Sequence, residues 1–255
     1  MQFDLTKPNT GRIIDYWMGG KHNFEIDRQL ADKVAGQFPI VPEIARDARA
    51  MIKRAVPWMY ARGIRHILDF GASLPTCENT HLVAQVVDPN IKVVYSDIDP
   101  VTVAYGQELL QNNPNVIYLQ CNANDPRPVL DSPQTLELLG GERRVGIIFL
   151  SLAHSMSDVQ VRQSWQTLYD WVAPDSYLFI NASSERWDID PDLVAVAKMY
   201  ASSNIIGRNR RREEYEKLVS PWKITEEGIA INGGWGLPPP AESMRAVNYS
   251  MMVFK

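Results

Sequence analysis

The chain has only two cysteines in 255 residues, Cys77 and Cys121. Each falls where a strand or its following loop is expected, so neither a disulfide framework nor a cysteine-rich metal site is supported; no metal is expected, and a reducing cytoplasm fits. Basic charge is not in surplus: 26 Lys and Arg stand against 30 Asp and Glu, for a formal net charge of -4. That balance argues against a nucleic-acid partner, because phosphate binding needs a field of cations. No stretch approaches the roughly 18 apolar residues of a membrane span, and the first residues lack the apolar run of a secretory leader, so no membrane association is expected. Internal repeats and low-complexity tracts are absent too. What is present, a 45% hydrophobic content over this length, fits one α/β domain with a helical addition and a small-molecule ligand.

Apolar spacing predicts helices over 12–35 and 43–62, punctuated by Gly19-Gly20 and by Pro39 and Pro42. From residue 64 the rhythm becomes strand then helix. Strands are expected at 64–70, 91–97, 115–120, 145–151 and 176–182, with helices at 75–87, 100–112 and 158–172. Such alternation implies a mostly parallel sheet, and near-continuous apolar strands such as 145–151 imply helices on both faces. After Pro191 come helices at 191–203 and 208–219, then strands near 222–231 and 245–254, expected to form an antiparallel hairpin at the sheet edge. Residues 233–240 read as an ordered loop between them. The division is a helical lid over 1–60 and a Rossmann-like core over 61–255 within one domain.

Residues 66–100 carry the main chemical signal. Ile67 and Leu68 deliver Asp69 and Gly71 to the tip of a strand, and a second apolar run ends on Asp97. In a βαβ unit, a tight turn after the first strand lets backbone approach a ligand, while an acid closing the second strand accepts hydrogen bonds from ribose hydroxyls. A dinucleotide turn wants G-x-G-x-x-G, yet only Gly71 fits, followed by Ser73, Leu74 and Pro75. A lone glycine also suits an ordinary βα turn; the conjunction with Asp97 is what points to a nucleoside. S-adenosylmethionine (SAM) carries no phosphate and can dispense with the later glycines, so the pattern favours SAM over NAD. Asp69 is placed to organise the loop and meet the methionine amino group, or to brace the loop alone.

At this point the residues resemble a known family. Pro8-Asn-Thr-Gly-Arg-Ile-Ile-Asp-Tyr-Trp-Met-Gly-Gly-Lys-His-Asn-Phe24, Leu68-Asp-Phe-Gly-Ala-Ser-Leu-Pro-Thr76, Asn79-Thr-His81 and Tyr95-Ser-Asp-Ile-Asp-Pro100 are similar to the actinomycete-type bacterial S-adenosyl methyltransferases once described as a domain of unknown function. The resemblance spans nearly the whole chain. It implies a class I methyltransferase fold, SAM as cofactor and methyl transfer to an acceptor that the family does not specify. Ala72 and Thr76 in the first loop, Ile98 beyond the second strand, Ala123 after the third and Leu152 after the fourth complete the expected cofactor residues. Tyr16, Gly19 and Asn23 would belong to a segment folding over the methionine end, with a plain helix break as the alternative. Two departures stand out. Ser73 replaces the second glycine of the family's Gly-x-Gly-Leu-Pro-Thr, and Asn122 takes the place of an acid that receives the adenine amino group, where it could instead close an Asx-turn.

Methyl transfer is an in-line displacement at an activated carbon, so the protein's main task is alignment, with a base needed only for a protic nucleophile. His154, just past the strand at 145–151, is the candidate base or substrate contact. Asp158 would orient it or cap the next helix. Asn181, Ser183 and Glu185 would line the same rim. Arg208 and Arg210–Arg212 precede Glu213, Glu214 and Glu216, and read as a solvated, salt-bridged helix face or as a contact for an anionic substrate. Trp165, Trp171, Trp187, Trp222 and Trp235 are expected in core or rim packing. The leading reading is a SAM-dependent methyltransferase acting on a small molecule, and the rival is a SAM-binding regulatory module without turnover.

Overall fold

The structure, a computed structural model, describes residues 7–75, 79–202, 207–231, 234–235 and 247–255. Thr76, Cys77 and most of the 233–240 loop lie outside the described residues. The first helix, α1 (Thr10–Trp17), starts where the Asn9 side chain accepts the Arg12 N–H, and ends in a left-handed turn at Gly19 with φ +79°. There the Gly19 N–H bonds to the Tyr16 carbonyl and the Gly20 N–H to the Asp15 carbonyl, the paired closure of a Schellman turn. The expected helix 12–35 is therefore two helices, the second being α2 (Glu25–Gln37). Likewise α3 (Ile40–Ala50) and α4 (Ile52–Ala61), meeting at Met51, replace the single helix expected over 43–62.

The alternating region follows as read: β1 (His66–Phe70), α5 (Thr80–Val87), β2 (Lys92–Asp97), α6 (Pro100–Leu110) and β3 (Val116–Gln120). Two short helices that the pattern missed, α7 (Arg127–Leu130) and α8 (Pro133–Leu139), precede β4 (Gly146–Leu150). A 3-10 turn at Ala153–Ser155 leads into α9 (Asp158–Trp171), and β5 (Tyr177–Ser183) follows. Then come α10 (Arg186–Ile189), α11 (Pro191–Ser202), α12 (Arg212–Leu218), β6 (Lys223–Ile224), β7 (Ala230–Ile231) and β8 (Asn248–Phe254).

The strands lie in the order β3-β2-β1-β4-β5-β8-β6, with β7 also on β8; β1 to β5 run parallel. The chain crosses over between β1 and β4, which opens a crevice at the carboxyl ends of those strands, where open α/β sheets bind ligands. The C-terminal strand is antiparallel as expected, but it does not sit at the edge. It pairs with β5 along seven residues and has β6 and β7 on its other side. Met251, Met252 and Val253 are all fully buried, so β8 has apolar surface on both faces and takes an internal place.

Side chains alternate across the sheet. Leu68, Val94, Ile147 and Phe149 pack on one face with Trp165 of α9, while Ile67, Val93, Tyr95 and Ile148 pack on the other with Val56 and Met59 of α4. At Gly146 a Cβ would come within 2.6 Å of the Met59 sulfur, so a larger residue there would push the Met59 side chain of α4 aside. Among the described residues no helix is long and apolar enough to cross a membrane.

Candidate functional site

The loop after β1 turns on two left-handed residues, Gly71 at φ +66° and Ser73 at φ +61°. The Ser73 N–H donates to Asp97 Oδ2 at 3.0 Å, the Asp99 N–H donates to Asp97 Oδ1 at 3.0 Å, and the Ala72 N–H donates to the Ser96 carbonyl at 3.0 Å. Asp97 thus ties the first loop to the end of β2 while each of its oxygens keeps a lone pair for a further donor. Burial raises its carboxyl above the usual range. From beneath, the Tyr118 hydroxyl donates to the Ser73 carbonyl at 2.7 Å, and Tyr118 stacks on Tyr95 with ring centroids 5.5 Å apart. Ser73 pays for its place in another way: its Oγ is buried without a hydrogen-bond partner.

Asp69 is 2% exposed and accepts a hydrogen bond from Thr80 Oγ1 at the start of α5. Burial pushes its carboxyl up to about 6, with the Thr80 bond and the Arg49 charge opposing the rise. Asp69 therefore braces the loop as well as lining a small cleft of about 60 Å³ with Arg49, Gly71 and Ser73. Arg49, on α3, is buried and donates to the Ala72 carbonyl at 3.5 Å. Nothing in the helical periodicity distinguishes Arg49 from a solvated residue, so the sequence reading missed it. Arg12 was missed in the same way. It is 2% exposed, bonds Asp27 at 2.8 Å and reaches Asp99 at 3.4 Å, linking α1 to the carboxyl end of β2. A charged residue beside the apolar Ile13, Ile14 and Trp17 was the available signal.

A larger cavity of about 460 Å³ adjoins the cleft, and both are lined by Ile14, Ala45, Ala48 and Ser151. Ser151, at the end of β4, has φ +50° and is held by Asn181: its N–H donates to the Asn181 carbonyl at 2.8 Å and its hydroxyl to Asn181 Oδ1 at 3.0 Å. This serine, held in a sparsely populated backbone region, stands where the two cavities meet. His154 lines the larger cavity three residues on. Burial, then the neighbouring Arg210 charge, pull its pKa down to about 4, so the imidazole is neutral at physiological pH.

Arg210 corrects the reading of the arginine run. It is 3% exposed and donates to Asp158 Oδ1 at 2.9 Å, the Ala153 carbonyl at 2.8 Å and the Met156 carbonyl at 2.7 Å. It therefore clamps the turn that carries His154 instead of pairing with Glu214 on a solvated face. Asp158 is committed to Arg210 and does not orient His154; the N-cap of α9 is Ser157.

The other expected contacts divide. Leu152 packs over Gly71, where a Cβ would lie 3.0 Å from its methyl groups. Ile98 stands 60% exposed just past Asp97, and Ala123 is buried beside Asn122. Tyr16, Gly19 and Asn23 line neither cavity. The Tyr16 hydroxyl donates to Asp32, Gly19 closes α1, and Asn23 donates to Asp15 and accepts from Arg28. These polar atoms hold the turn between α1 and α2; Thr10, Ile14 and Trp17 of the same helix face the cavity in their stead. Asn122 Oδ1 accepts the Asn124 N–H at 3.0 Å, closing the Asx-turn.

Residues 1–253 match the family described as S-adenosyl methyltransferase. The chain belongs to the S-adenosyl methyltransferase family. No protein of curated function matches it. It is similar to a crystal structure from Thermobifida fusca, described as a proposed methyltransferase, at 30% identity and TM-score 0.89, covering 99% of this chain and 96% of that one. A DUF574 family protein from Streptomyces avermitilis is similar at 28% identity and TM-score 0.88, with 100% of both chains covered. Human N-acetylserotonin methyltransferase, solved in complex with SAM, shares the fold at 12% identity and TM-score 0.50, over 98% of this chain and 63% of that one. This S-adenosyl methyltransferase has the class I fold expected from its motifs, and its cofactor is SAM.

Proposed function

We propose that the protein transfers a methyl group from SAM to a small-molecule acceptor seated in the 460 Å³ cavity. The observation that carries this reading is the junction at Ile14, Ala45, Ala48 and Ser151, where a loop built for a nucleoside meets a cavity of ligand size. SAM, when bound, supplies an electrophilic methyl group on a sulfonium that leaves as a neutral thioether. The residues present suit such a group. Asp97 has lone pairs left for the two ribose hydroxyls, the Gly71–Ser73 turn admits close backbone approach, and the orphaned Ser73 hydroxyl needs a partner. In this reading Arg49 meets the methionine carboxylate and Asp69 its ammonium, while Ile98, Asn122 and Ala123 border the adenine. Helices α1 to α3 act as a lid that excludes water and aligns the acceptor, which is the main catalytic task for a displacement at an already activated carbon.

The test is calorimetric titration of SAM into the wild-type chain and into Asp97→Ala. Loss of two charge-assisted hydrogen bonds should weaken binding by about 2 kcal/mol or more, roughly thirtyfold or more in Kd. Unchanged affinity in the variant refutes the placement of the ribose.

A further inference from the structure

We propose that the acceptor is an uncharged, ring-bearing molecule whose nucleophile is a hydroxyl, seated against Trp17 and Trp187 with that hydroxyl directed at His154. This rests on the methyl-transfer reading and adds the chemistry of the acceptor. The cavity volume of about 460 Å³ fits a fused-ring scaffold, and its walls are mostly apolar. Ile14, Trp17, Ile44, Trp187, Val194 and Tyr200 all line it. The Trp187 indole N–H donates to Asn248 Oδ1 at 3.2 Å, which leaves its ring to offer an apolar face.

Charge in the acceptor is disfavoured in both directions. An anion would be desolvated there with no free cation inside: Arg210 donates to Asp158, Ala153 and Met156, and Arg49 lies in the neighbouring cleft facing Asp69. Lys198, exposed to solvent, is the one Lys or Arg among the described lining residues. A cation would meet the same Arg210 field that disfavours protonation of His154, and the one carboxylate among the described lining residues, Asp188, is solvent-exposed and accepts the Asn209 amide at 2.8 Å.

Among the described polar groups lining the cavity, the His154 imidazole is the one ring base. No described residue hydrogen-bonds either ring nitrogen of His154, while its backbone is fixed by the Arg208 N–H at 2.6 Å and by the Arg210 clamp around its turn. Its imidazole is held neutral and can receive an O–H. As the acceptor oxygen takes the methyl carbon, the carbon–sulfur bond breaks with its electron pair on sulfur. As that carbon–oxygen bond forms the hydroxyl becomes strongly acidic, so its proton passes even to the weakly basic His154, which releases it to water.

The experiment loads the protein with S-adenosylhomocysteine and titrates 2-naphthol, 6-hydroxynaphthalene-2-sulfonate and 1-naphthylmethylamine by calorimetry. The neutral naphthol should bind at least about tenfold more tightly than either charged analogue, and Ala197→Trp or Val194→Trp, which fill the cavity, should weaken it at least about tenfold. Both variants should keep the affinity for S-adenosylhomocysteine, which also reports that they fold. With SAM present, His154→Gln should bind naphthol as the wild type does but form the methyl ether at least about a hundredfold more slowly. Absent naphthol binding, equal affinity for a charged analogue, insensitivity to both filling substitutions or unchanged turnover in His154→Gln each overturns the proposal. Failure of S-adenosylhomocysteine itself to bind overturns the underlying methyl-transfer reading instead.

Discussion

Ser73 sits in left-handed backbone with a buried hydroxyl that lacks a partner, at a place where the resemblance leads one to expect glycine. An L-residue there costs about 1–2 kcal/mol, and an unsatisfied hydroxyl adds a further penalty; the extra chain entropy of glycine returns roughly 0.5–1 kcal/mol of that. Ser73→Gly is therefore expected to stabilise the ligand-free protein by about 1 kcal/mol, raising the calorimetric Tm by about 2–4 °C. His154 gives a pH prediction of definite sign. A base whose folded pKa is about 4 against 6.5 unfolded binds its proton more readily in the unfolded chain, so stability is lost as pH falls from 6.5 towards 4. Urea titrations across that window should show the wild type losing up to about 3 kcal/mol relative to His154→Gln, with no such divergence between pH 7 and 9.

The turn carrying His154 owes its shape to an arginine on a distant element. Removing Arg210 strips one carboxylate and two carbonyls of their donor, so Arg210→Ala should lower stability by about 3 kcal/mol in urea unfolding. Arg210→Lys should recover only part, because one ammonium cannot reproduce a planar guanidinium reaching three acceptors. Arg212→Ala is the contrast: Arg212 meets Glu216 at 3.4 Å with both side chains about half exposed, and its loss should stay within about 0.5 kcal/mol. The sequence pattern read the Arg212–Glu216 pair rightly, because i,i+4 geometry is local. It misread Arg210, whose partner Asp158 is 52 residues away. The same limit explains the other misses. Apolar periodicity located every parallel strand, yet α7 and α8 are too short to show a period, and the internal place of β8 depends on β5 and β6 packing beside it.

Across the whole molecule, Arg12 and Arg49 tie the N-terminal helices to the rim of the sheet through Asp99 and the Ala72 carbonyl. If these helices close over the cofactor, binding should reach well beyond the sheet loops. At 100 times Kd, SAM should stabilise the protein by about 2.7 kcal/mol, and amide exchange should slow in α1 and α3 as well as after β1. NAD should do neither. Protection confined to the sheet loops would remove the lid role.

The linear chain by itself determined the strand–helix alternation, the tight loop after β1 and the acid that closes β2, because each rests on residues close in sequence whose spacing is set by backbone geometry. It also carried the methyltransferase motifs that the comparison with relatives bears out. Tertiary structure alone decided which polar groups are already satisfied. Packing turned Tyr16 and Asn23 to bracing a turn, drew Asp158 to Arg210, and left His154 neutral beside an apolar cavity. Hydrogen-bond partners and desolvation are properties of neighbours brought together by the fold, and no local spacing encodes them.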